Sequence, residues 1–149
     1  MTYILKKFEE LTVHELYAIL QLRNEVFIIE QNCIYPDLDY KDQPAIHLMC
    51  LEDKKLIAYT RILPPCISYS VPSIGRVVTA PSARKTGVGK ELVRKSIDAC
   101  ITLYGITDIT LSAQLYLKKF YESFGFKTSG DKYLEDGIDH IKMTRKASR

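Results

Sequence analysis

Arg84, Gly87 and Gly89 stand as Arg-x-x-Gly-x-Gly in the stretch Thr79 to Lys90. An apolar run, Ile74 to Val78, precedes them, and a helical run, Glu91 to Leu103, follows. A strand, a basic glycine-bearing loop and a helix start together form an anion cradle. The first amides of a helix have no intrahelical acceptor, and the peptide dipoles add about half a positive charge there. Gly87 and Gly89 carry no Cβ and let a ligand approach the backbone closely. Arg84, Lys85 and Lys90 supply mobile positive charge. The nucleotide loop Gly-x4-Gly-Lys-Ser/Thr does not fit, because its first glycine is Arg84 here and Glu91 follows Lys90. The dinucleotide fingerprint fails at Leu92, where it requires glycine.

The composition sets the frame. The chain has 149 residues, long enough for one domain over 1–149, with 46% apolar and 26% charged residues and a net charge of +3. That balance argues against a nucleic-acid protein, whose basic residues cluster on one face. No signal peptide and no apolar run of about 20 residues is visible, so a cytoplasmic protein without a membrane partner is expected. Cys33, Cys50, Cys66 and Cys100 are widely spaced, show no metal-ligand pattern and read as small buried hydrophobes; a cysteine nucleophile has no nearby histidine by spacing. The basic end, Arg145 to Arg149, reads as a solvated tail.

The elements that must position these residues follow in order. Tyr3 to Phe8 reads as a strand. Thr12 and Glu15 form a capping box, and helical spacing runs from there to about Ile29. Glu30 to Pro44 breaks pattern and reads as a long loop, a length usually reserved for function or disorder. Ala45 to Glu52 and Leu56 to Leu63 are paired strands. Pro64 to Ser73 is a loop and Ile74 to Thr79 the next strand. The helix from about Val88 ends near Tyr104. Thr107 to Ala113 is a strand and Leu115 to Phe124 a short helix. Phe126 to Glu135 and Ile138 to Arg145 flank Asp136-Gly137, a strong hairpin signal. The order β-α-β-β-β-α-β-α-β-β predicts an α/β (α+β) layout, a mixed sheet covered by helices. Ligands collect at strand ends in such sheets.

Arg84, Gly87 and Gly89, with Phe120-Tyr121-Glu122-Ser123-Phe124-Gly125-Phe126 at the expected distance, resemble the GNAT N-acetyltransferase superfamily. The second segment is similar to its Tyr-x-x-x-Gly-Phe. Val26-Phe27, Glu30-Gln31-Asn32, Ala58-Tyr59-x-Arg61, Gly75-Arg76-Val77, Ala113-Gln114 and the segment Tyr133 to Ile141 look like its ElaA-type branch. The resemblance implies a mostly antiparallel sheet splayed in the middle to hold coenzyme A. It implies that Val77, Val78 and Thr79, the loop residues Arg84, Lys85, Thr86, Gly87, Val88, Gly89 and Lys90, and Gln114 hold acetyl-CoA. Glu30, Gln31, Arg76 and His47 are expected on the acceptor side. The implied activity is acetyl transfer to a primary amine of a small molecule or peptide; a catalytically idle acyl-CoA-binding module is the alternative. A homodimer is an allowed assembly.

Acetyl transfer needs a held thioester, a neutral amine and a proton for the departing thiolate. By resemblance Tyr121 is the general acid; on its residue type alone it is a packing tyrosine. No carboxylate lies on the strand Ile74 to Val78, where this superfamily often carries one. Arg76 accepts no proton, but can bind an acidic group or pair with Glu30. Candidate bases are Glu30, His47 and His140, the last with an unperturbed pKa of about 6.5 suited to proton transfer, and water can also carry the proton. Asp37, Asp39 and Asp42 on the long loop, and Glu135, Asp136 and Asp139 on the last hairpin, favour a cationic amine if they rim the cleft.

Overall fold

A computed structural model describes residues 1–147. Seven strands form one sheet: β1 (Thr2–Lys7), β2 (Ile46–Glu52), β3 (Lys55–Leu63), β4 (Ser73–Thr79), β5 (Ile109–Gln114), β6 (Phe126–Glu135) and β7 (Ile138–Arg145), in the order β1-β2-β3-β4-β5-β7-β6. All neighbours are antiparallel except β4 and β5. The helices are α1 (Val13–Arg23), α2 (Val88–Tyr104) and α3 (Lys118–Glu122).

Local chemistry explains the sharp turns. Asp136 (φ 52°) and Gly137 (φ 78°) form the two-residue loop between β6 and β7, with Glu135 opposite Ile138. Asp53 and Lys54 do the same between β2 and β3. Thr12 caps α1 by accepting from the Glu15 amide at 3.1 Å, and Glu15 accepts from the Thr12 amide at 2.8 Å. Beyond Arg23 the helix widens into a π-helical turn, Asn24–Glu30, which the sequence spacing does not distinguish from a continuing α-helix.

Alternate residues of the strands face opposite layers, as period-2 geometry requires. On one face Leu48, Cys50, Ala58 and Ile62 pack with Val88, Leu92, Val93, Ile97 and Cys100 of α2. On the other, Met49, Tyr59 and Val78 pack with Ile19 and Leu22 of α1 and Val26 of the π-helical turn. Cys33, Cys50 and Cys100 are buried as expected, whereas Cys66 is exposed in a turn at φ 72°. The chain end is pinned rather than free as far as Ala147. Asp108 accepts from the Ala147 amide at 2.8 Å and from Lys146 at 3.1 Å; Ser148 and Arg149 lie outside the described residues.

The loop between the π-helical turn and β2 is fastened by charge. Arg23, on α1 and fully buried, donates to Asp37 at 2.9 Å and to Asp42 at 2.8 Å. Arg61 on β3 grips Asp39 with both Nη atoms, at 2.7 and 2.8 Å, and reaches Asp42 at 3.0 Å. Arg76 on β4 donates to the Asp37 carbonyl at 2.9 Å and pairs with its carboxylate at 2.8 Å. Three cations therefore meet three anions, and removing one partner of such a buried set leaves an uncompensated charge. Asp37, Asp39 and Asp42 are not a free acidic rim, contrary to the sequence expectation.

Burial disfavours the Asp39 carboxylate, but the Arg61 hydrogen bonds and charge outweigh it and bring its pKa down from 3.8 to about 2. A carboxyl with a depressed native pKa adds stability above its unfolded pKa, and that stability is lost as pH falls through the native value. Unfolding free energy measured by denaturant titration should therefore fall between about pH 4 and pH 2. Arg61→Gln should lower stability at pH 7 and flatten this acid limb; an unchanged limb would mean that the Asp39 pairing is energetically silent.

Candidate functional site

β4 and β5 meet at one registered pair among the described residues, Ser73 with Thr110, supported by a bond from the Thr110 amide to the Pro72 carbonyl at 3.1 Å. Beyond it the strands part. A bulge sits in β4, where three steps from Gly75 to Val78 lie opposite two steps from Arg61 to Tyr59. Arg76, at φ 49°, occupies the left-handed region, and such a residue costs roughly 1–3 kcal/mol. Its ion pairs with Asp37 and Asp39 hold it there.

The parted strands open a cleft of about 800 Å³. Val77, Val78, Thr79, Arg84 and Gly89 line its β4 side, and Gln114, Leu117, Phe120 and Tyr121 line the side of β5 and α3. Glu30, Gln31 and Arg76 reach the same space, as do Glu135 and His140 of the last hairpin. Gln31 and Gln114, far apart in sequence, join across it at 3.2 Å.

At one end of the cleft, α2 begins at Gly87, which adopts φ 86° and ψ −2°. No side chain caps this end, so the first amides of a 17-residue helix are left to another acceptor. A Cβ on Gly89 would stand 4.0 Å from Thr79 Cγ2, while one on Gly87 would meet nothing within 4 Å. Lys85, Thr86 and Lys90 are exposed around the turn, and the Thr86 hydroxyl donates to the Ala83 carbonyl. Val88 contributes only its backbone here, since its side chain is 2% exposed in the core.

Tyr121 is buried on α3, its ring edge-on to Phe120 and Phe126. Its hydroxyl makes no hydrogen bond among the described residues, and burial pushes its pKa well up. A phenol in that state keeps its proton at neutral pH. His140 donates from Nδ1 to the Ile138 carbonyl at 2.7 Å, presents Nε2 3.3 Å from Glu135, and stacks on Tyr133. Tyr133 in turn meets Ser112 of β5. Burial pushes the Tyr35 hydroxyl up to about 12, and the Arg76 guanidinium stands 5.9 Å from its ring.

Two sequence expectations are corrected. His47 does not reach the cleft: it is fully buried, Nε2 donates to the Asp42 carbonyl at 2.9 Å, and Nδ1 accepts from the Tyr59 hydroxyl at 2.6 Å. Burial lowers its pKa and keeps it neutral, so it serves the core rather than an acceptor or a proton. Arg76 does not pair with Glu30; that carboxylate lies 2.7 Å from Arg84 Nη2.

Residues 15–147 match the family model for the acetyltransferase (GNAT) domain. The chain belongs to the GNAT family. Protein ElaA of Escherichia coli is 41% identical over 138 residues, covering 91% of this chain and 90% of that protein. The crystal structure of an acyl-CoA N-acyltransferase from Pseudomonas aeruginosa superposes with a TM-score of 0.92 at 41% identity, over 97% of this chain and 99% of that one. The crystal structure of E. coli ElaA gives 0.91 at 37%, with the same coverage. The GNAT sheet, seven strands and mostly antiparallel, is thus the frame for the opened β4–β5 pair.

Sequence reasoning missed the Arg23–Arg61–Arg76 lattice and the aromatic lining from Tyr35, Tyr69 and Tyr116. The Asp37-x-Asp39-x-x-Asp42 spacing is the one linear trace of the lattice, and its arginines lie on three separate elements.

The two loop glycines should behave differently on substitution. Gly87→Val should destabilise the fold by about 1–2 kcal/mol through left-handed backbone strain. Gly89→Ala, with ordinary space around its Cβ, should be close to neutral. Equal effects in denaturant unfolding would contradict the left-handed cap at Gly87.

Proposed function

We propose that this GNAT protein is an N-acetyltransferase that moves an acetyl group from acetyl-CoA to a primary amine of a small molecule or peptide. The observation that carries this reading is the unpartnered Tyr121 hydroxyl beside a cleft opened between β4 and β5, whose lining also includes Gly89 in the uncapped first turn of α2.

The residues fit coenzyme A. A diphosphate needs several donors and positive charge, and the orphan amides of α2 with Arg84, Lys85 and Lys90 offer both. The gap along Val77 to Thr79 leaves strand-like backbone groups for amides of an extended arm, as in strand addition. Gln114 stands on the opposite wall. Bound acetyl-CoA supplies an acyl group already activated as a thioester.

The remaining work falls to the chain. Tyr121 holds a proton in an apolar surrounding and gives it up to a developing anion more readily than to water. Leu117 and Phe120 exclude solvent from that space. Glu30 and His140 are the two candidates that remain to take the proton from the incoming ammonium, since His47 is sealed in the core. Gln31 orients the wall beside Glu30 through its bond to Gln114. Because Asp37, Asp39 and Asp42 are neutralised by arginines and Glu30 is paired with Arg84, the acidic attraction for a cationic amine comes from Glu135 and Asp136 on the cleft wall.

Release of free thiol from acetyl-CoA, followed over a panel of polyamines, amino sugars and peptides, tests the reading. Turnover on at least one amine is expected. Tyr121→Phe should lower kcat by about 10²–10⁴-fold, the usual worth of a general acid, with little change in acetyl-CoA affinity. Cofactor binding without turnover on any amine would instead identify an idle acyl-CoA-binding module, and an unchanged kcat would remove Tyr121 as the acid.

A further inference from the structure

Arg84 follows the Pro81–Ala83 turn, and its guanidinium is already occupied by a side chain of the same protein. Glu30 closes the π-helical turn on the other wall, and its Oε1 lies 2.7 Å from Arg84 Nη2. Both residues line the cleft. Guanidinium presents its donors to carboxylate and phosphate oxygens alike. The seat read here as part of the diphosphate site thus holds an anion supplied by the acceptor wall.

We infer that Glu30 is an internal placeholder for the diphosphate. In the free protein it neutralises Arg84; cofactor entry evicts it and leaves its carboxylate available to the acceptor amine. This rests on the proposed reading of the cleft as an acyl-CoA site.

The two side chains are 39% and 41% exposed, so water screens the pair and exchange is cheap. A diphosphate also gains the amides at the start of α2, which a single carboxylate on Arg84 does not engage, and so it wins the exchange. The displaced carboxylate stays near its wall, because the neighbouring Gln31 is fastened to Gln114 while the Glu30 side chain is free to turn. Its negative charge, no longer paired, attracts and orients an ammonium. Cofactor binding therefore prepares the acceptor site, and by linkage the amine strengthens cofactor binding in return.

Calorimetric titration of coenzyme A into the wild type, Glu30→Gln, Arg84→Gln and the double variant tests this, with thermal melts confirming that these exposed substitutions leave the fold intact. Glu30→Gln should tighten coenzyme A about twofold to fivefold, the range open to an exposed pair. Arg84→Gln should weaken it, and adding Glu30→Gln to that background should change nothing further. With acetyl-CoA saturating, Glu30→Gln should raise the KM for the amine. A tightening that persists without Arg84 would mean that Glu30 acts only through long-range repulsion and would overturn the inference. So would unchanged affinity in the single Glu30 variant. A wild type that binds no coenzyme A would instead overturn the proposed function, and the placeholder role with it.

Discussion

A parallel strand pair that stops pairing after its first residue is the constraint on which the rest depends. From Ser73 onward β4 keeps its bonds to β3 and loses those to β5. Buried backbone groups without partners are costly, so such a gap persists only where something else compensates. The bulge at Arg76 turns β4 away, and the Arg76 ion pairs with Asp37 and Asp39 keep the strained residue in place. On the other side β5 remains fully registered with β7, so the opening is a local parting within a continuous sheet. The uncapped start of α2 and the unpartnered Tyr121 hydroxyl face the consequences of that parting: polar groups left over by the protein's own hydrogen bonding.

The arginine–aspartate lattice connects the fold to the site. It draws α1, β3 and β4 onto one loop, and that loop carries Tyr35 to the cleft. Its charges cancel within the lattice, so they set shape rather than field. The free field at the cleft comes instead from the hairpin acids Glu135 and Asp136, because Glu30 is itself paired with Arg84. Burying so many charges is weak evidence for stability as such; a uniquely placed loop is the better explanation for keeping them.

Much of this was legible in the chain. The capping box at Thr12 and the Asp136-Gly137 hairpin depend on local chemistry, and each forms as its residues dictate. The α2 stripe from Val88 to Cys100 reads at helical spacing and buries on one face. The glycine loop and the Tyr121 segment pointed to the family that residues 15–147 match. What failed depended on tertiary partners. His47 looks the same in sequence whether it faces a cleft or a carbonyl, and only the fold brings Asp42 and Tyr59 to its two nitrogens. The loop aspartates read as candidate rim acids because their arginines sit on separate elements. The π-helical turn keeps the apolar rhythm of the helix before it and so left no mark of its own.

Amide hydrogen exchange with and without coenzyme A would test the parted strands most directly. Amides of Val77 and Thr79, which alternate away from β3, and those at the start of α2, Val88 to Lys90, should exchange slowly only in the presence of the ligand, since these are the donors the fold leaves unused. Protection of those amides in the free protein, or protection on coenzyme A binding confined to other elements, would contradict it.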